Sequence, residues 1–257
     1  MAQNSPETDS RKTEPDRLLD GRLVLHQQAK GHRVGTDAIL LAAAAPALPE
    51  GLAIDVGAGV GAVGLILAQA NPGAEAVLLE KNPDAAALAR QNVAANGLAA
   101  HVRVFEADLF DFQARKTAGL VEAADLVVTN PPFLKPGGSR PSPDASRAMA
   151  HVLGEGGIAK WLQASLALLK PRGMLIAIHR ADALEDLLAA LAGRLGGLEI
   201  LPIFPKRDEK ATRLVLRGRK GGKAPLSLLP GLVLHDTDGR FTPRAEAIHR
   251  EGARLFP

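Results

Sequence analysis

From Leu52 onward the chain alternates between short apolar runs and longer amphipathic stretches. The runs Leu52–Val56, Ala76–Glu80, Val102–Glu106, Asp125–Thr129 and Met174–His179 predict strands. The stretches Ala62–Ala70, Pro83–Asn96, Ala159–Leu169 and Leu184–Arg194 predict helices. Pro83 suits a first helical turn, and Asn96-Gly97 suits a helix C-terminus. Strands alternating with helices join as right-handed βαβ units. The fold class is therefore α/β, with a mostly parallel sheet and helices on both faces. Leu198–Phe204 and Thr212–Arg217 lie too close in sequence for a helix between them. They predict a hairpin-like antiparallel edge, which brings the sheet to seven strands.

The ends read differently. Residues 1–17 are polar, with Pro6 and Pro15 and no apolar period, and predict a disordered tail. Residues 18–47 form a small N-terminal extension. It holds two short strands between Arg22 and Val34, then a helix from Asp37, capped by Thr36 and ending before Pro46. Residues 48–222 are the main domain and 223–257 a C-terminal extension. Pro136 to Pro143 is rich in Pro, Gly and Ser and predicts a mobile loop. No internal repeat is visible.

Composition removes several classes. Of 257 residues, 46% are hydrophobic and 23% charged, as in a soluble globular protein. The absence of cysteine excludes disulfides and thiolate metal sites. The seven histidines lack the spacing of a zinc site, so no metal is expected. No apolar run is long enough to span a bilayer, so no membrane partner is expected. The polar N-terminus is unlike a signal peptide, which points to the cytoplasm. Net charge is only +3, but it is unevenly placed. Between Lys206 and Lys223 eight basic residues face two acids, a net of +6 that leaves −3 elsewhere.

In such a sheet ligands bind beyond the carboxyl ends of the strands. Four of these ends carry chemistry. The first is Asp55-Val-Gly57-Ala-Gly59-Val-Gly61. Its glycines permit a sharp turn and close ligand approach, and the following helix points its N-terminus at the ligand. Gly57, Gly59 and Ala62 also fit the dinucleotide pattern, so a nicotinamide site is a rival reading. Asp55 argues for a cationic ligand: S-adenosylmethionine brings an ammonium and a sulfonium, whereas a pyrophosphate disfavours an acid. Glu80, at the second end, is an acceptor-only group suited to a ribose diol. Asp108, at the third, suits the exocyclic amine of an adenine, with Leu109 against the ring face. Asp108 suits a helix cap equally well.

The fourth end is Asn130-Pro131-Pro132-Phe133. The prolines stop the ladder and hold residue 130 extended. The Asn130 amide oxygen and the Pro131 carbonyl are then two acceptors for the two donors of an –NH2 group, and Phe133 stacks on a flat acceptor. Such a site turns a nitrogen lone pair toward a methyl donor by positioning alone. A planar amide and an aromatic amine fit it equally.

Together these four motifs resemble the ordered motifs of class I S-adenosylmethionine-dependent amino-methyltransferases, over about residues 20–218. That resemblance implies the Rossmann-like fold of that class. Arg22-Leu-Val-Leu-His-Gln-Gln28, Arg33-Val-Gly-Thr-Asp-Ala-Ile-Leu-Leu41, Arg217-Gly-Arg-Lys-Gly221 and Leu234-His-Asp-Thr-Asp-Gly-Arg-Phe-Thr242 resemble the bacterial tRNA(Val) adenine-N6 methyltransferase family. The sequence departs from that pattern at Thr129 and Phe133, where a small residue and a tyrosine are more usual. Phe133 keeps the stacking face and lacks the hydroxyl. The resemblance implies methylation of an adenine amine in tRNA. It also places the Gly35-Thr36-Asp37 turn over the methionine end of the cofactor, where a helix N-terminus suits a carboxylate.

An RNA partner needs cationic surface. Candidates are Lys30, His32, Arg33, Lys135, Arg140, Arg147 and the 206–223 run, which position phosphates without reading bases. The rivals are a protein glutamine acceptor and a non-catalytic cofactor- and RNA-binding module. Trp161 and the remaining phenylalanines read as core, and the histidines at 101, 151, 179, 235 and 249 as structural.

Overall fold

The computed structural model describes residues 15–27, 34–132 and 156–256. Its strands and helices run β1 (Asp16–Leu18), β2 (Leu23–Leu25), α1 (Thr36–Ala43), β3 (Leu52–Val56), α2 (Ala62–Ala70), β4 (Glu75–Glu80) and α3 (Pro83–Ala95). They continue with β5 (Val102–Glu106), α4 (Phe112–Thr117), β6 (Ala124–Thr129), α5 (Gly157–Leu166), β7 (Leu169–Arg180), α6 (Leu184–Leu191), β8 (Leu195–Phe204) and β9 (Arg213–Lys220). Two-residue strands β10 (Ser227–Leu228) and β11 (Leu232–Val233), the short helix α7 (Pro243–Glu246) and a π-helical turn, Ala247–Glu251, complete it.

The main sheet has the order β10-β8-β9-β7-β6-β3-β4-β5, with β11 also on β8. The pairs among β3 to β7 are parallel, and β9 is antiparallel to both β7 and β8. The seven strands anticipated are β3 to β9. The C-terminal extension adds β10 and β11, both parallel to β8, and so covers what was expected to be an open edge.

Alternate residues of each strand enter two cores. Leu78, Leu126, Val128, Ile176 and Ile178 pack with α1, α2 and α3 on one face. Val77, Leu79, Val127, Leu175 and Ala177 pack with α5 and α6 on the other. This double coverage is why the strands read as continuous apolar runs. Each fully buried aliphatic side chain contributes about 1.5–3 kcal/mol. Helix α2 approaches the sheet closely at Gly64, where an added Cβ would meet Leu78 Cδ2 at 2.0 Å. That approach seats the start of α2 against the end of β3.

The N-terminal extension departs from expectation in three ways. Asp16 and Arg17, assigned to the tail, form with Leu18 a strand paired antiparallel with β2. The second strand expected before Val34 falls partly outside the described residues, and β2 takes β1 as its partner instead. Thr36 does not cap α1: Gly35 is the N-cap, no side chain accepts there, and Thr36 is the first helical residue. An apolar pattern cannot fix a helix start to one residue.

Asparagines fasten this extension to α3. Asn92 Nδ2 donates to the carbonyls of His26 and Val60, while its Oδ1 accepts from His26 N–H. Asn96 makes the same two-way bond with the Val24 backbone. The C-terminal extension closes over α1, where Leu255 N–H donates to Ala43 carbonyl at 2.8 Å. Phe256 is buried beneath the Arg217 guanidinium, 3.8 Å from its ring centroid. His235, Phe241 and His249 stack face to face, which makes these two histidines structural.

Candidate active site

The carboxyl ends of β3, β4, β5 and β6 surround a cavity of about 190 Å³. It is lined by Gly57, Leu79, Glu80, Lys81, Ala107, Asp108, Leu109, Asn130, Pro132 and Trp161. Six residues anticipated at the site are therefore brought together: Gly57, Glu80, Asp108, Leu109, Asn130 and Pro132.

Glu80 organises the glycine loop. One carboxylate oxygen accepts from Gly59 N–H and the other from Asn82 N–H, each at 2.7 Å. Gly59 thus acts by holding Glu80, away from the cavity wall. Both oxygens keep a lone pair for a diol. Gly57 stands at φ +70°, and a Cβ there would lie 2.9 Å from Trp161 Cζ2. Only glycine fits both the turn and the indole.

Asp55 lies under the loop rather than on the cavity wall. Its side chain is buried and Oδ2 accepts from Gly64 N–H at 2.9 Å, inside the first turn of α2. Burial pushes its pKa up to about 7, the Gly64 bond opposes this, and the negative charge of Glu80 adds to it. The sequence pattern placed this acid directly at a cationic ligand. The geometry makes it a buried anchor for α2, one layer behind.

Asp108 is held on both oxygens. Oδ1 accepts from Phe110 N–H at 2.9 Å, and Oδ2 pairs with Lys81 Nζ at 2.7 Å. It is not a helix cap, since Asp111 caps α4. Leu109, 4% exposed, supplies an apolar wall beside it.

Asn130 follows the last residue of β6. Its side-chain oxygen is buried and accepts no hydrogen bond among the described residues. A buried acceptor without a donor is costly, and here it lines a cavity, so the arrangement suits a ligand N–H. Pro131 is buried and Pro132 half-buried at the rim. Phe133, Lys135, Arg140 and Arg147 lie outside the described residues, as do Lys30, His32 and Arg33.

Thr36 does not line this cavity. Its neighbour Asp37 pairs with Arg213 Nε at 3.0 Å, which ties the start of α1 to β9.

Sequence reasoning missed four wall residues, Leu79, Lys81, Ala107 and Trp161. Trp161 is 6% exposed and belongs to the core, as anticipated, yet its ring also faces the cavity. A signal existed. In a βαβ unit the helix starts where the strand ends, so the first turns of α5 stand beside the ligand.

The basic run divides in the fold. Arg213, Arg217 and Lys220 pair with Asp37, Glu199 and Glu122. Arg219 and Lys223 sit toward the amino end of the parallel strands. Lys206, Arg207 and Lys210 are exposed on the β8–β9 loop, at the same sheet end as Asn130. Among the described residues no cluster of three or more His, Asp or Glu is placed to hold a metal ion. No described helix is long and apolar enough to cross a membrane.

Comparison with known proteins shows what the chain as a whole is similar to. Residues 31–155 match the methyltransferase small domain family. A tRNA1(Val) (adenine(37)-N6)-methyltransferase of Porphyromonas gingivalis is 31% identical over 229 residues, 86% of this chain and 89% of that protein. One of the same name from Aeromonas hydrophila is 33% identical over 217 residues, 82% of this chain and 86% of that protein. Among solved structures, Atu636 of Agrobacterium tumefaciens, described as a predicted O-methyltransferase, superposes with a TM-score of 0.70 at 30% identity. That match covers 85% of this chain and 98% of the other. M. jannaschii TYW2 in complex with AdoMet shares the fold at a TM-score of 0.53 and 18% identity, over 77% of this chain and 80% of that one.

Proposed function

We propose, from the premise that this chain belongs to the family of the tRNA1(Val) (adenine(37)-N6)-methyltransferases, that it methylates the exocyclic N6 amine of an adenine in tRNA, with S-adenosylmethionine as methyl donor. The observation that carries this reading is the buried side-chain oxygen of Asn130, a residue of the cavity wall, which has no donor among the described residues. An amine with two N–H donors supplies what that oxygen lacks.

The residues present fit the cofactor. Glu80, pinned by Gly59 and Asn82, suits the ribose diol. Leu109 suits an adenine face, and Lys81 and Asp108 border the same side. Gly57 lets the loop turn tightly against Trp161 at the cavity wall, and Asp55 steadies the start of α2 behind it. Bound S-adenosylmethionine supplies an electrophilic methyl group on a sulfonium.

The chain supplies alignment. Asn130 Oδ1 accepts one N–H of the target amine and the Pro131 carbonyl the other, which turns the nitrogen lone pair toward the cavity. Phe133, next in sequence and outside the described residues, has the aromatic face that a base can stack on. No strong base is required, because the amine sheds a proton after it becomes cationic. Positioning of this kind lowers a barrier by pre-setting orientation. The β8–β9 loop, with Lys206, Arg207 and Lys210, offers charge for RNA phosphates beside the site. The Atu636 description names an oxygen acceptor for that protein. Two acceptors at Asn130-Pro131 favour nitrogen here.

The test is transfer of labelled methyl to total tRNA and to glutamine-bearing release-factor peptides, with wild type and Asn130→Ala. The expected result is labelled N6-methyladenine in tRNA and a loss of at least about 100-fold in kcat for the variant. Labelled glutamine with unlabelled tRNA would overturn the reading. Full activity in Asn130→Ala would remove the acceptor motif from the chemistry.

A further inference from the structure

Thr129 is the last residue of β6 and is fully buried. Its register partner across the parallel ladder is Val56, the last residue of β3. The Thr129 hydroxyl donates to the Val56 carbonyl at 3.0 Å. The same oxygen accepts the Trp161 indole N–H at 2.9 Å. One hydroxyl therefore joins three parts of the site. The chain leaves β3 at Val56 to form the glycine loop, and leaves β6 at Thr129 to form the acceptor turn. Trp161, from α5, is held at its nitrogen so that its six-membered ring lies over Gly57. Phe110 meets the indole edge-on at 6.1 Å, so the ring is fixed from a second side as well.

We propose that Thr129 and Trp161 are positioning residues of the transfer site, and that the Thr129 hydroxyl sets the spacing between the glycine loop and Asn130. The inference rests on the methyl-transfer reading. Valine matches threonine in shape but neither donates nor accepts at that position. Thr129→Val leaves the Val56 carbonyl and the indole N–H without partners at the point where two strand ends must stay in register. The acceptor oxygen of the next residue, Asn130, then loses its fixed distance from the cavity. Serine keeps the hydroxyl and restores both bonds.

Trp161 provides a direct readout. It is the single tryptophan of the chain, which has no tyrosine. Excitation at the red edge of the protein band therefore reports this wall alone. Binding of S-adenosylhomocysteine to the full chain is measured by calorimetry and, in parallel, by Trp161 emission. The expected result is a saturable emission change with the calorimetric Kd. Thr129→Val is expected to lower kcat about tenfold, the rate equivalent of removing one buried hydrogen bond, with Thr129→Ser within about twofold of wild type. A purely structural role lowers the melting temperature and leaves kcat of the folded protein unchanged.

The outcomes separate. No calorimetric binding removes the methyl-transfer reading itself. Calorimetric binding with flat emission overturns only the inference, and does so even where Thr129→Val does not fold. A folded Thr129→Val with kcat within about twofold of wild type, or a serine variant as impaired as the valine, also overturns it.

Discussion

Asp55 carries a measurable cost. The residue is 4% exposed, its carboxylate accepts a hydrogen bond from Gly64 N–H, and the charge of Glu80 acts on it. Burial is the main reason its pKa rises from 3.8 to about 7. The folded protein therefore keeps this proton where the unfolded chain has released it. Stability from the protonated form is full below about pH 4 and is lost as pH rises through about 7. A shift of roughly three units corresponds to about 4 kcal/mol. Asp55→Asn removes the titration while keeping an oxygen for Gly64. Urea unfolding of both proteins, followed by circular dichroism, measures the difference. Between about pH 5 and pH 8 the variant is expected to gain roughly 2–3 kcal/mol on wild type. The offset at the acid end reflects the cost of placing the new amide N–H2 and cancels in the comparison. A gap between the two proteins that stays constant across this range refutes the argument, because it means that Asp55 ionises without a burial penalty.

Three further outcomes follow from the site. Gly57→Ala places a Cβ against Trp161 at a positive φ, so calorimetry should show cofactor affinity falling at least about tenfold, with about 1–2 kcal/mol lost in stability. Glu80→Ala frees both Gly59 and Asn82, and is expected to weaken cofactor binding by about tenfold or more, with Glu80→Gln between it and wild type; equal affinities would show that Glu80 does not organise the loop. Reversing Lys206, Arg207 and Lys210 to glutamate should weaken tRNA binding and reduce the salt slope by about 0.9 for each phosphate no longer neutralised. Cofactor affinity should stay unchanged, and an unaltered slope in a filter-binding titration would place the RNA elsewhere.

Most of the central sheet was legible because burial on both faces writes itself as unbroken apolar runs. Leu52–Val56 and Val102–Glu106 coincide with β3 and β5, and Ala62–Ala70 with α2. The extensions were less legible. Asp16–Leu18 is a polar three-residue strand whose identity comes from pairing with β2, which no local pattern encodes. β10 and β11 are two residues each and exist because β8 offers an edge. At the site, Glu80, Asp108 and Asn130 were readable from strand ends, since topology alone carries such residues to one rim. Asp55 was readable as part of the site but not as buried beneath it. The split of the basic run was not readable either, because Arg213 and Lys220 find their acids at Asp37 and Glu122, far away in sequence, and Arg217 finds Glu199 only through the exact register of β8 on β9.

The Leu255–Ala43 hydrogen bond has a kinetic meaning. Helix α1 is made early in synthesis, but the segment that closes over its last turn emerges only after the whole sheet has been translated. Contacts between such distant parts of a chain form late, because loop closure must come first. The growing chain should therefore hold a nearly finished sheet with α1 still incompletely covered. In ribosome-stalled chains extended by a linker that spans the exit tunnel, protease resistance of residues 36–43 is expected to appear only once residue 255 lies outside the tunnel.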